Sequence, residues 1–253
     1  MTDSKTQEKL RIAMIMAAGF GTRMGQLTVD LPKPLLPLND WRIIEVVLLK
    51  LANQGIQRVI INLHCFADKM KSCLGDGRRY GLELIYSEEP QILGSGGGIA
   101  NAEPHFDGET ILILNADVLS DIDIRKLYSH HRESGSLASM SVLPSQNNID
   151  YTLVKYTAQN GLAGFMDLGE PLPENFLTGI FMGYQVLSPQ ARRYLRPEFQ
   201  SVINRFYKKA IEQQKRINIY PFLGTWIDVG TASFYHIFRE QIRLGEVDLK
   251  KFM

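Results

Sequence analysis

A chain of 253 residues, 45% of them hydrophobic, can bury one large core, and it holds no apolar run of the about 18 residues that a membrane span needs. A formal charge of +1 provides no net field for nucleic acid or an acidic membrane, so any anion site must be local. The two cysteines, Cys65 and Cys73, form no Cys-x-x-Cys; this argues against zinc or a disulfide framework and for free thiols in a reducing, cytoplasmic setting.

Residues 1–10 are polar and charged and read as a frayed tail. Residues 12–17 form an apolar run that predicts a buried strand. Lys5, Lys9 and Arg11 in front of it imitate a signal peptide, but the run is short and leads directly into Gly19-Phe20-Gly21, followed by Thr22 and Arg23. Further on, Lys33 stands between Pro32 and Pro34. A strand that empties into a loop of free backbone N–H groups, with a fixed arginine and a fixed lysine, suits a polyanion such as a triphosphate. It is not a P-loop, because no lysine follows Gly25, and it is not the dinucleotide fingerprint, because Met24 stands where the third glycine belongs.

Asn39-Asp40 predicts a helix start, with Trp41, Ile44, Val47, Leu48 and Leu51 at helical spacing and Gly55 as the stop. A strand at 59–61, a helix at 66–74 and a strand at 82–86 continue an alternation that implies right-handed crossovers and a parallel sheet. The run Gly94-Ser95-Gly96-Gly97-Gly98 then precedes a short helix through Ala102; it suits a place where something flat packs on bare backbone. Residues 111–114 predict a buried parallel strand ending in Asn115-Ala116-Asp117, where open α/β sheets bind ligands. Asp121 and Asp123 read as caps of a helix at 124–132, and His130-His131 on it as a solvated face. A strand at 137–143, a hairpin over 151–168 turning at Asn160-Gly161 and a strand at 176–186 follow. Then come a short helix at Ser188-Pro189, a helix at 199–213, strands at 217–220 and 225–229, and a last helix from Thr231 to Gly245. No linker or repeat divides the chain, so one domain is expected, with a nucleotide-binding core over 11–145 and a smaller lobe over 146–253.

The pattern Gly19-x-Gly21-Thr22-Arg23-Met24, then Leu27-Thr28, then Pro32-Lys33-Pro34-Leu35, resembles the signature of the sugar-1-phosphate nucleotidylyltransferases, or NDP-sugar pyrophosphorylases. The likeness is greatest to their short bacterial members, which act on mannose 1-phosphate, related sugars or N-acetylmuramate 1-phosphate. It is strong over 12–120 and looser over 176–240. It implies an α/β fold: a Rossmann-like, mostly parallel mixed sheet flanked by helices (the nucleotide-diphospho-sugar transferase fold) with a small β-rich sugar-binding lobe. It also implies an NTP and a sugar 1-phosphate as substrates, and Mg²⁺ held by Asp117 and by Asp228 of Trp226-x-Asp228-x-Gly230-Thr231. The bland reading of Asp228 is a cap of the last helix. By the same resemblance Arg23 meets the β- and γ-phosphates and Lys33 the α-phosphate and the incoming sugar phosphate. Gly19, Gly21, Thr22 and Met24 belong to the loop that lines the triphosphate, and Ala17, Ala18, Gly19, Ser95 and Gly96 contact base and ribose.

The chain departs from the family at two places. Ala116 stands where glycine is usual, and Glu170-Pro171 lacks the lysine of a Glu-Lys-Pro segment. Asn175, Thr178 and Gly179 are the sugar-contact candidates. Glu88 or Glu89 would suit the N–H edge of guanine, or be loop charges. The alternatives are a CTP-dependent phosphocholine-type cytidylyltransferase, a non-catalytic nucleotide-sugar-binding regulator and, disfavoured by Met24, a Rossmann oxidoreductase. Larger family members add a β-helix or are tetrameric; this chain shows no hexapeptide repeat and is compatible with a homodimer.

Overall fold

Ile12–Met16 forms β1, the central strand of the computed structural model, which describes residues 9–147, 149 and 151–253. Most of the expected N-terminal tail therefore lies outside the described residues. After two short 3-10 helices, Thr22–Thr28 and Lys33–Leu35, a small hairpin pairs β2 (Pro37–Leu38) with β3 (Trp41–Arg42). Helix α1 (Ile43–Asn53), strand β4 (Arg58–Leu63), helix α2 (Ala67–Leu74) and strand β5 (Glu83–Glu88) follow. Next come α3 (Gly94–Asn101), β6 (Ile111–Asn115), β7 (Val118–Ser120) and α4 (Ile124–Ser134). The second half holds β8 (Ala138–Pro144), β9 (Leu153–Tyr156), β10 (Leu162–Phe165), β11 (Leu177–Leu187) and α5 (Pro189–Arg192). It ends with α6 (Lys208–Glu212), β12 (Ile217–Pro221), β13 (Trp226–Asp228) and α7 (Ala232–Arg243).

Among the described residues nine strands make one mixed sheet, in the order β10-β9-β11-β6-β1-β4-β5, with β8 pairing β11 and β12 pairing β8. The β6-β1-β4-β5 half is parallel, as predicted, and β11 runs antiparallel to β6, β8 and β9. Successive residues of the central strands serve opposite faces. Ala13, Ile15, Val59, Ile61, Leu112 and Leu114 pack in one cluster, with α1 and α4. Met14, Ile60 and Ile113 pack in the other, with α3 and Phe206. Both faces are covered, which is why these strands are apolar throughout rather than alternating.

Four local expectations change. Asn39-Asp40 is the turn of the β2–β3 hairpin, with Asn39 at φ 53°, and the helix begins only at Ile43; a two-residue Asn-x turn is a hairpin signal as much as a cap. The 199–213 helix starts at 203 with a π-helical turn, Ile203–Tyr207. Asp123 caps α4 by accepting from the Arg125 and Lys126 N–H groups, whereas Asp121 accepts from the Thr225 N–H. His131 is buried rather than solvated, its Nδ1 3.0 Å from Ser139 Oγ. Burial, and then the charge of His130, lower its pKa from 6.5 to about 4. Below about pH 6.5 the unfolded chain takes up a proton that the folded protein refuses, so stability falls with pH until about 4, by up to about 3 kcal/mol. Urea unfolding at pH 7, 5.5 and 4.5 should show this loss, and His131→Gln should flatten the profile; an unchanged slope in the variant would count against it.

Candidate active site

Strand order reverses at β1: β4 and β5 lie on one side and β6 on the other. Such a switch point opens a crevice at the carboxyl ends of the strands. Met16 pairs in register with Asn115, and the Ala116 N–H donates to Met16 O at 3.2 Å, so the loops leaving β1 and β6 start side by side.

The loop after β1 is shaped by Gly21, in the left-handed region at φ 66°. A Cβ there would lie 3.3 Å from Thr28 Cγ2 and 3.4 Å from Lys33 Cβ. Thr28 ties the loop shut: its hydroxyl donates to Gly21 O at 3.1 Å. Met24 is in the core, 1% exposed, so the nucleotide contact expected of it is not available to its side chain. Thr22 and Arg23 stay exposed. Pro32 and Pro34 are buried on either side of Lys33, whose ammonium donates to Asp117 Oδ2.

Asp228 reaches the same place on the strand expected at 225–229, through a pairing with β7 that the sequence did not announce. β13 pairs antiparallel with β7, placing Asp228 opposite Val118, and the Val229 N–H donates to Asp117 O at 2.9 Å. The cap of α7 is Thr231, whose hydroxyl accepts from the Phe234 N–H, so the bland reading of Asp228 fails. Burial, and then the charge of Asp117, push the Asp228 carboxyl above its usual range, while Lys33 and Arg23 draw it back. No hydrogen bond or ion pair engages its carboxylate among the described residues. Two adjacent carboxylates, one unpartnered and opposed by like charge, form a donor set that fits a hard cation such as Mg²⁺. Ala116 is not among the residues with positive φ, so alanine in place of glycine costs this turn nothing.

Ala17, Gly19, Gly21, Thr22, Arg23, Lys33 and Asp117 line one cleft of about 180 Å³, closed by Gly230. A larger cavity of about 340 Å³, by Leu10 and Gly55, lies at the amino end of β1 and holds none of the predicted residues. The remaining candidates sit outside the cleft walls. Ala18 is buried. Ser95 Oγ accepts from the Val202 N–H at 3.0 Å, and Gly96 is covered by residues 200–202. The glycine density of α3 thus has an internal cause: Gly94, Gly96 and Gly97 let the 198–202 segment lie on the helix. Glu89 is 2% exposed, with Oε1 accepting from Asn62 and Oε2 from the Leu93 N–H, so it is neither a loop charge nor a free reader of a base edge. Glu88 pairs with Lys71 at the surface. Thr178 spends its hydroxyl proton on Ser145 O, Gly179 lets β8 approach, with a Cβ there 2.5 Å from Leu143 O, and Asn175 is exposed. Glu170, in the segment that lacks its lysine, meets Lys155 of β9 at 3.4 Å. Among the described residues no helix is long and apolar enough to cross a membrane.

The model of the nucleotidyl transferase family matches residues 12–243. The N-acetylmuramate alpha-1-phosphate uridylyltransferase of Neisseria meningitidis serogroup B is 33% identical over 234 residues, which are 87% of this chain and 93% of that protein. The D-glycero-alpha-D-manno-heptose 1-phosphate guanylyltransferase of Aneurinibacillus thermoaerophilus is 24% identical over 91% of this chain and 98% of its own length. The UTP–glucose-1-phosphate uridylyltransferase of Synechocystis is 28% identical over 88% of this chain, which spans only 61% of it. Among solved structures, HddC from Yersinia pseudotuberculosis complexed with GMP-PN superposes with a TM-score of 0.77 at 22% identity, over 92% of this chain and 100% of that one. That likeness shows the fold, a mostly parallel mixed sheet flanked by helices, as predicted.

Proposed function

Because the chain belongs to the nucleotidyl transferase family and its relatives are sugar-1-phosphate nucleotidyltransferases, we propose that it transfers a nucleotidyl group from an NTP to a sugar 1-phosphate, releasing pyrophosphate by Mg²⁺-assisted in-line displacement. The observation that carries this reading is the convergence of Asp228 on Asp117 and Lys33, the latter two lining the cleft walled by the 17–23 loop. The attacking oxygen of a sugar phosphate is already anionic, so the reaction asks for positioning and charge neutralisation rather than a general base. Mg²⁺ bound by Asp117 and Asp228 would supply Lewis-acid charge at the α-phosphate. Arg23 offers its fork to the terminal phosphates. Lys33, held beside Asp117, lowers the repulsion between NTP and sugar phosphate. Backbone N–H groups of Gly19 to Thr22 would line the triphosphate.

The engagement of Glu89 inside the protein, with Glu88 paired to Lys71, weakens the feature that leaned toward guanine. Together with the full-length likeness to the Neisseria relative, this supports UTP with N-acetylmuramate 1-phosphate as the first pair to test. GTP with mannose 1-phosphate or a heptose 1-phosphate is the second, favoured by the likeness to the guanylyltransferase. A panel of UTP, GTP and CTP against these sugar phosphates, glucose 1-phosphate and phosphocholine, read by pyrophosphate release, tests the proposal. Release is expected with a sugar 1-phosphate and only when Mg²⁺ is present. Tight nucleotide-sugar binding without release from any pair would make the protein a regulator instead.

A further inference from the structure

Asn62 and Glu89 are the polar residues buried deepest beside the cleft, 1% and 2% exposed. They form an unbroken chain of hydrogen bonds from the loop after β1, which lines the cleft, to the residue that precedes α3. The Ala17 N–H donates to Asn62 Oδ1 at 2.8 Å, Asn62 Nδ2 donates to Glu89 Oε1 at 2.7 Å, and the Leu93 N–H donates to Glu89 Oε2 at 2.9 Å. His64 Nδ1 donates to the Glu89 carbonyl at 2.7 Å, and the Glu89 N–H to Leu63 O at the same distance. Gly98 leaves room for the pair: a Cβ there would stand 2.6 Å from Glu89 Oε1 and 2.8 Å from Asn62 Nδ2. Among the described residues no cation pairs with Glu89.

A buried carboxylate without a cation is costly, and an amide of the same shape would cost less. What glutamate has and glutamine lacks is that it only accepts. Asn62 must therefore turn its NH₂ toward Glu89, and its carbonyl oxygen is left facing the Ala17 N–H. Glutamine could present its own NH₂ to Asn62 and let the amide flip, putting two donors together at Ala17. We propose that Glu89 and Asn62 are a positioning pair: the carboxylate fixes the amide orientation of Asn62, and this holds Ala17, the first residue of the phosphate-handling loop, in register with the start of α3.

The inference rests on the nucleotidyl-transfer reading, and its test separates the two. Glu89→Gln should raise KM for the NTP about tenfold, leaving KM for the sugar phosphate unchanged, and should speed amide exchange at Ala17. Asn62→Asp sets carboxylate against carboxylate and should do at least as much harm. Combining Asn62→Asp with Glu89→Gln restores every bond. The carboxylate introduced on β4 accepts from both the Ala17 N–H and the introduced side-chain NH₂, and the carbonyl oxygen of that new amide still accepts from the Leu93 N–H. The double variant should recover most of the NTP affinity and the slow exchange, a coupling that a double-mutant cycle measures. Folded single variants with wild-type KM and exchange, or a folded double variant no better than the singles, would overturn the pairing. Amide exchange and binding of UTP or GTP with Mg²⁺ read the pair even if the wild type turns nothing over, so failure of the functional reading is seen separately.

Discussion

Asp228→Asn should lower turnover about a thousandfold while raising the melting temperature of the metal-free protein. The two effects have one source. The Asp228 carboxyl is held above its usual range by burial and by Asp117, so ionising it opposes folding at neutral pH. A group raised in this way stabilises the fold when protonated, and that contribution is lost as pH rises through its folded-state pKa. Asparagine keeps the shape and removes the charge. The melting difference between variant and wild type should therefore be present at pH 7 in EDTA, and shrink as pH falls toward the carboxylate range. Adding Mg²⁺ should raise the melting temperature of the wild type and not of the variant. Asp117→Asn should match the loss of turnover without the gain in stability, because it strips Lys33 of its partner. A variant at position 228 that keeps its turnover, or melts lower than wild type in EDTA, would remove Asp228 from the proposed metal site.

Gly97→Ala should be the most damaging conservative substitution in α3, by about 3 kcal/mol or more. An added Cβ would overlap the carbonyl oxygen of Glu198 and come within 2.8 Å of Leu93 Cβ. The first of these is backbone, and it lies in the segment whose Gln200 carbonyl accepts from the Gly96 N–H at 2.8 Å. At about 2–4 °C per kcal/mol for a chain of this size, the melting temperature should drop by about 10 °C. Gly19→Ala serves as the control, since nothing lies within 4 Å of a Cβ there; its stability should be unchanged or slightly higher. If Gly97→Ala instead melted like wild type and lost only nucleotide binding, the glycines would be serving a ligand and not the chain.

The parts of the site that were legible are those whose meaning is local. The strand into Gly19-Phe20-Gly21, the lysine between two prolines and the acid just past β6 each depend on residues within a few positions, and the structure brings Arg23, Lys33 and Asp117 to one cleft. Thr231 as the cap of the last helix and Gly245, at φ 76°, as its stop belong with them. The tie made by Thr28 is not legible in this way, because its bonds, to Gly21 O and Gly25 O, appear only once the loop has closed.

What the amino-acid order determined unaided is the parallel core and the chemistry carried by its loops, since apolar runs, glycines and prolines restrict the backbone where they stand. What only the tertiary structure decided is which distant groups face one another. The strand expected at 225–229 is present as β13, but its three-residue partner β7 is too short to leave a periodic signal, and only their register sets Asp228 beside Asp117. The same holds for Glu89: a glutamate in a polar stretch reads as a contact for a base edge or as a loop charge until β4 and α3 enclose it and direct both its oxygens inward. Register and enclosure are non-local, set by the packing of elements far apart in the chain, and so they are absent from any single window of sequence.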